Sequence, residues 1–117
     1  MIEKIVLDYL NEVLDVPAYM QSPETHKKPT DNPIEFVRIE KTGSSRSNHI
    51  FTATFAIQSY SDTLYKAALL NEKVKEAMAN IIVLDDIASE DLNSDYNFTD
   101  TSTKQPRYQA VFDLVHY

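Results

Sequence analysis

The sequence predicts an α+β domain: a mainly antiparallel sheet of about four to five strands packed on two helices, in the order α-β-β-β-α-β-β. Two segments place apolar residues at helical spacing, near the start of the chain and again just past its middle. Between and after them lie runs rich in β-branched and aromatic residues, broken by turn chemistry. The length of 117 residues admits one hydrophobic core, so residues 1–117 are expected to form one domain.

Ile2, Ile5, Val6, Tyr9, Leu10, Val13 and Leu14 fall on one side of a helical wheel, with Glu3, Lys4, Asp8, Asn11 and Glu12 opposite, which predicts an amphipathic helix. It must stop before Pro17, because proline disfavours helical geometry in the residue preceding it, and Ala18 to Met20 then suits a short strand. Residues 21–33 carry Pro23, Pro29 and Pro33 among polar side chains and read as an exposed loop.

Ile34 to Lys41 and Asn48 to Tyr60 form the next two strands, a long hairpin whose turn is expected at Thr42 to Ser47, around Gly43. In the second of these strands Phe51, Ala53, Phe55 and Ile57 share the face expected to pack on a helix, and Thr52, Thr54, Gln58 and Tyr60 share the other. Ser61 and Asp62 supply an N-cap and an acidic first turn for a helix to about Asn80, with Leu64, Ala67, Leu70, Val74, Ala77, Met78 and Ile81 as its stripe. Periodicity leaves Ile81 to Leu84 open between helix and turn. After an acidic segment from Asp85 to Asp91, strands are expected at Leu92 to Thr99 and Arg107 to Tyr117. The last is apolar on both faces, which suits either an interior strand or a face covered by a partner.

Composition removes several function classes. With 11 Lys and Arg against 18 Asp and Glu, the net charge of -7 has the wrong sign for affinity to phosphate backbones, so nucleic acid is not expected as a ligand. No cysteine is present, which excludes disulfides, thiolate-bound zinc and thiol nucleophiles. Charges interrupt the first fifteen residues where a secretory signal needs an apolar run, and no stretch reaches membrane-spanning length, so no membrane partner is expected. Asn97-Phe98-Thr99 matches a glycosylation acceptor, a match that means little without an export signal.

Reactive motifs are weak. His26, His49 and His116 lack the spacing of a helical metal site, and no metal or other cofactor is expected. Gly43-Ser44-Ser45-Arg46 resembles an anion-binding loop but lacks the strand-to-helix setting that focuses phosphate, and a turn is the better reading. Ser44 or Ser45 with His49 could be drawn as nucleophile and base, yet an orienting acid and oxyanion donors are missing, so a small hydrolase is the weakest reading. Asp85-Asp86 and Glu90-Asp91 read as a solvated charge run.

Charge placement says more. From Met20 to His49 four acids face five bases, including Lys27, Lys28, Lys41 and Arg46, whereas Asp85 to Tyr117 holds seven acids against Lys104 and Arg107. Unlike flanks suit head-to-tail contacts between copies, with closure into a ring. The interface candidates are Lys27, Lys28, Lys41, Ser44 and Arg46 on the basic flank, and Asp85, Asp86 and Tyr117 on the acidic one.

Three stretches carry a resemblance: residues 35–43 (EFVRIEKTG), residues 52–60 (TATFAIQSY) with the Ala-rich helix that follows, and residues 106–117 (PRYQAVFDLVHY). Over nearly the whole chain they resemble tail terminator or tail completion proteins of long-tailed bacteriophages, including prophage minor tail proteins. The chain departs from that pattern at Gly43-Ser44, where such sequences carry Gly-Gly. The resemblance implies a non-enzymatic virion protein, assembled in the bacterial host cytoplasm and placed at the head-proximal end of the tail. It implies a ring of copies, commonly six, that contacts the tail tube protein and the head connector protein and uses no cofactor. A head–tail connector of the same neck is the alternative.

Overall fold

A computed structural model describes residues 1–20, 35–99, 101–102 and 104–117. Helix α1 (Ile2–Val13) buries Ile2, Val6, Tyr9 and Leu10, while Val13 is exposed. Leu14 leaves helical geometry, three residues ahead of Pro17, and the expected short strand follows as β1 (Ala18–Tyr19). Asn11 fixes this corner by accepting from the Ala18 backbone N–H at 2.9 Å and donating to its carbonyl at 3.2 Å, as a neighbouring strand would. The loop expected at 21–33 lies outside the described residues, with His26, Lys27 and Lys28.

Strands β2 (Phe36–Ser47), β3 (Ile50–Tyr60), β4 (Ile87–Asn97) and β5 (Arg107–His116) complete a five-stranded sheet in the order β1-β2-β3-β5-β4. The α-β-β-β-α-β-β order matches the expectation, with one refinement. The β1–β2 pairing is parallel, so the sheet is mixed, whereas the other three pairings are antiparallel. Strand β5 lies between β3 and β4, which accounts for its two apolar faces by an interior position.

The hairpin turn is not at Gly43. Strand β2 runs through Thr42 to Ser47, and the chain reverses at Asn48 and His49, both with positive φ, at 51° and 66°. A two-residue turn with both central residues left-handed matches the twist of paired strands, and Asn tolerates that geometry better than most residues. Gly43 has no positive φ; it follows a β-bulge that interrupts the β2–β3 register between Lys41 and Gly43. Strand β4 also differs from expectation, because it begins at Ile87 and takes in much of the acidic run. It is an edge strand with register shifts near Ile87 and Leu92 that hide its alternation, and edges accept charge where interior strands do not.

Helix α2 (Leu64–Ala79) starts after Thr63, not Ser61 or Asp62: the Thr63 hydroxyl accepts from the Lys66 backbone N–H at 3.1 Å. Ser61 instead donates to Glu35 at 2.9 Å. The helix buries Ala67, Leu70, Asn71, Val74 and Met78, and Leu64, expected in the stripe, is exposed. A single 3-10 turn (Ile81–Val83) resolves the ambiguity after it. Both helices cover one face of the sheet, where Ala53, Phe55, Ile57, Ala110, Phe112 and Leu114 form the core with Val6, Leu10, Val74 and Met78. The helix layer is tied across by the Tyr9 hydroxyl, which donates to the Ala77 carbonyl at 2.7 Å.

Candidate functional site

Paired residues in an antiparallel ladder project from the same face. The extra residue at the bulge therefore puts Lys41, opposite Phe55, and Ser44 and Arg46, opposite Ala53 and Phe51, on the helix-bearing face although Lys41 and Ser44 are an odd number of residues apart. Among the described residues only the start of α1 reaches this part of the face, through Ile2. Ile2, Lys41, Ser44, Ser45, Arg46, Phe51, Thr52 and His116 enclose a groove of about 370 Å³ there. Its lining is apolar at Ile2 and at Phe51, which stacks on the His116 ring at 5.5 Å. Lys41 and Arg46 add two cations.

Lys41 is partly neutralised by Glu3 at 3.2 Å. The carboxyl of Glu3 is held below its ordinary 4.5, first by a hydrogen bond from its own backbone and, against a burial penalty, by Lys41. Arg46 makes no ion pair among the described residues, so its charge faces solvent. Because β1 pairs only at Val37 and Arg38, the outward backbone groups of β2 from Glu40 to Ser47 find no strand partner among the described residues.

The acidic candidates stand on the other edge. Asp85 and Asp86 are exposed between the 3-10 turn and β4, and the Tyr117 backbone N–H donates to the Asp86 carbonyl at 3.1 Å. Arg46, Phe51, His116 and Ile87 form one cross-strand row, which sets the Arg46 end of the groove and the acidic turn at the same level of the sheet. Three strand spacings, roughly 14 Å, separate their strands. The structure thus gathers Lys41, Ser44 and Arg46 in one groove and Asp85, Asp86 and Tyr117 at one corner, while Lys27 and Lys28 lie outside the described residues.

Sequence reasoning missed Ile2, Phe51 and His116 in the groove, and Ile82 and Val83, which are 55% and 72% exposed beside the aspartates. The apolar run at 81–84 held a usable signal: one 3-10 turn cannot bury three successive aliphatic side chains.

On the face of the sheet away from the helices, where the alternation placed them, Gln58 and Tyr60 are both buried. Gln58 donates to Gln109 at 2.8 Å and accepts from Arg38 at 3.1 Å and from Tyr60 at 3.2 Å; Gln109 donates on to Tyr96. Arg107 donates to the Tyr60 hydroxyl at 3.0 Å and to the Phe98 carbonyl, with its guanidinium 4.5 Å from the Phe98 ring centre. Phe36 stacks on Tyr60 at 4.4 Å. Partners within the network occupy its donors and acceptors, which accounts for polar side chains buried on that face.

Chemical groupings are sparse. No hydrogen bond joins Ser44 or Ser45, His49 and a carboxylate among the described residues, and no three His, Asp or Glu side chains there converge to hold a metal ion. Among the described residues no helix is long and apolar enough to cross a membrane. No family model matches the chain, and no curated protein matches it.

Proposed function

We propose that the chain is a structural subunit of a phage tail, a terminator-like protein that closes into a ring on the head-proximal end of the tail tube. One face of the ring would match the last layer of tube subunits and the other would offer no equivalent surface for growth, so polymerisation stops and the head connector finds its contact. The observation that carries this reading is the level placement of unlike surfaces on the two edges of one sheet: Arg46 near the end of β2, with Lys41 further along the same strand, and Asp85 and Asp86 just ahead of Ile87 on β4. A heterologous contact without displacement along the strands closes into a ring when each copy is also turned from the last by an even fraction of a full circle. The sequence resemblance at residues 35–43, 52–60 and 106–117 supplies the tail context.

Electron microscopy of tails assembled with and without the gene tests the reading. Overlong or headless tails are expected without it, and tails of normal length joined to heads would contradict it. Incubating the purified protein with tail tubes and, separately, with portal-bearing heads distinguishes a terminator, which binds the tubes, from a neck connector that binds heads alone.

A further inference from the structure

We propose that the turn carrying Ile82, Val83, Asp85 and Asp86 of one copy docks into the Lys41–Arg46 groove of the next. The inference rests on the ring reading and adds the contact that would hold the ring together. The turn is preorganised. Val83 N–H donates to the Asn80 carbonyl at 3.2 Å, Leu84 to Ile81 at 3.0 Å and Ile87 to Leu84 at 3.1 Å, while fully buried Ile81 anchors it to the core. A turn held this firmly pays little entropy on binding. It nevertheless leaves Ile82 and Val83 in water, one residue ahead of two exposed carboxylates that make no ion pair among the described residues.

The groove offers the converse: apolar Ile2 and Phe51 in its lining, beside Lys41 and Arg46. Burying the aliphatic side chains against Ile2 and Phe51 would supply affinity, and the opposite charges would fix orientation and reject the reversed approach. Within one chain the turn does not reach the cationic side of the groove: β2, which carries Lys41 and Arg46, lies three strand spacings from β4, and among the described residues neither aspartate pairs with them. Both features border the helix-bearing side of the sheet and share the Arg46–Phe51–His116–Ile87 level. A second copy is therefore the occupant that matches in apolar character, in charge and in height.

Charge exchange tests this on the full chain. Arg46→Glu leaves the acidic turn intact and Asp86→Arg leaves the basic groove intact; both positions are exposed, and thermal melts check that each variant folds. Sedimentation velocity at low salt should show each variant self-associating roughly 10- to 100-fold more weakly than the wild type. An equimolar mixture of the two should regain assembly, since every contact in an alternating ring then joins opposite charges. Single variants that assemble like the wild type would overturn the contact and leave the ring reading standing, as would a mixture that fails to recover. A wild-type chain that self-associates neither alone nor on tail tubes would remove the ring reading and the contact together. As a second measurement, the cysteine-free chain carrying Ser44→Cys and Val83→Cys should give a ladder of covalent oligomers with a short bismaleimide, and only monomer would overturn the proposal.

Discussion

Replacing Asp95 with alanine should loosen the attachment of β4 to α2. The Asp95 carboxylate accepts from Asn71 at 3.0 Å and from Lys75 at 3.0 Å, across the boundary between the edge strand and the helix. Asn71 is only 1% exposed and its side-chain carbonyl already lacks a hydrogen-bond partner, so losing Asp95 leaves the whole amide buried and unsatisfied. An orphaned buried donor costs about 1–3 kcal/mol, and the partly exposed Lys75 pair adds at most about 1 kcal/mol. Lys75 also keeps Glu72 at 2.8 Å, which limits its share. A loss of roughly 2–3 kcal/mol, on the order of 10 °C in Tm, is expected by urea and thermal unfolding. Adding Asn71→Leu to Asp95→Ala should recover part of it, because removing both partners relieves the desolvation penalty that removing one creates. A cost below about 0.5 kcal/mol, or no recovery in the double variant, would refute the assignment of Asn71 as the buried group that depends on Asp95.

At the hairpin tip, Asn48→Val should cost about 1–2 kcal/mol and His49→Gly should stabilise by about 1 kcal/mol, since both positions are left-handed. Gly43→Ala should be nearly neutral in the same unfolding assay, because an added Cβ there meets nothing within 4 Å and φ is not positive. Glu90 has a pKa raised above 4.5, first by burial and then by neighbouring Asp91. The fold therefore favours its protonated form, stability falls as pH rises through the folded pKa, and Glu90→Gln should stabilise the protein at pH 7 by an amount that vanishes below 4.5. Equal stability of the two proteins across this range by denaturant titration would contradict that account. Arg107→Lys should destabilise by about 1–2 kcal/mol by urea unfolding, because a point charge does not reproduce the donor fork shared between Tyr60 and the Phe98 carbonyl.

The elements readable in advance were those whose cues are local. The stripe from Ile2 to Leu10 and the alternation of Ala53, Phe55 and Ile57 each follow from a single period, and both pack as expected. Gly43 misled because glycine permits a turn without requiring one, whereas Asn48 bears the positive φ. Strand β4 was legible only from Leu92 onward, since its acidic first half owes its conformation to pairing with β5, a long-range contact absent from local pattern. Burial of Gln58 was hidden for the same reason: its partners Gln109 and Tyr96 lie on strands far along the chain.

The candidate surface divides in the same way. Charge signs along the chain marked Lys41, Arg46, Asp85 and Asp86, but only the cross-strand register sets Arg46 level with the acidic turn on the opposite edge. The partners Phe51 and His116 of the groove come from strand pairing, and Ile2 from the placement of α1; no spacing in the sequence announces them.

The most direct measurement of the central claim is electron microscopy of purified tail tubes incubated with the affinity-tagged chain and a gold-labelled tag ligand. The ring account predicts label at one end of each tube and an arrest of further lengthening when free tube protein is added. Label scattered along the tube walls, or tubes that continue to grow beneath the label, would contradict it.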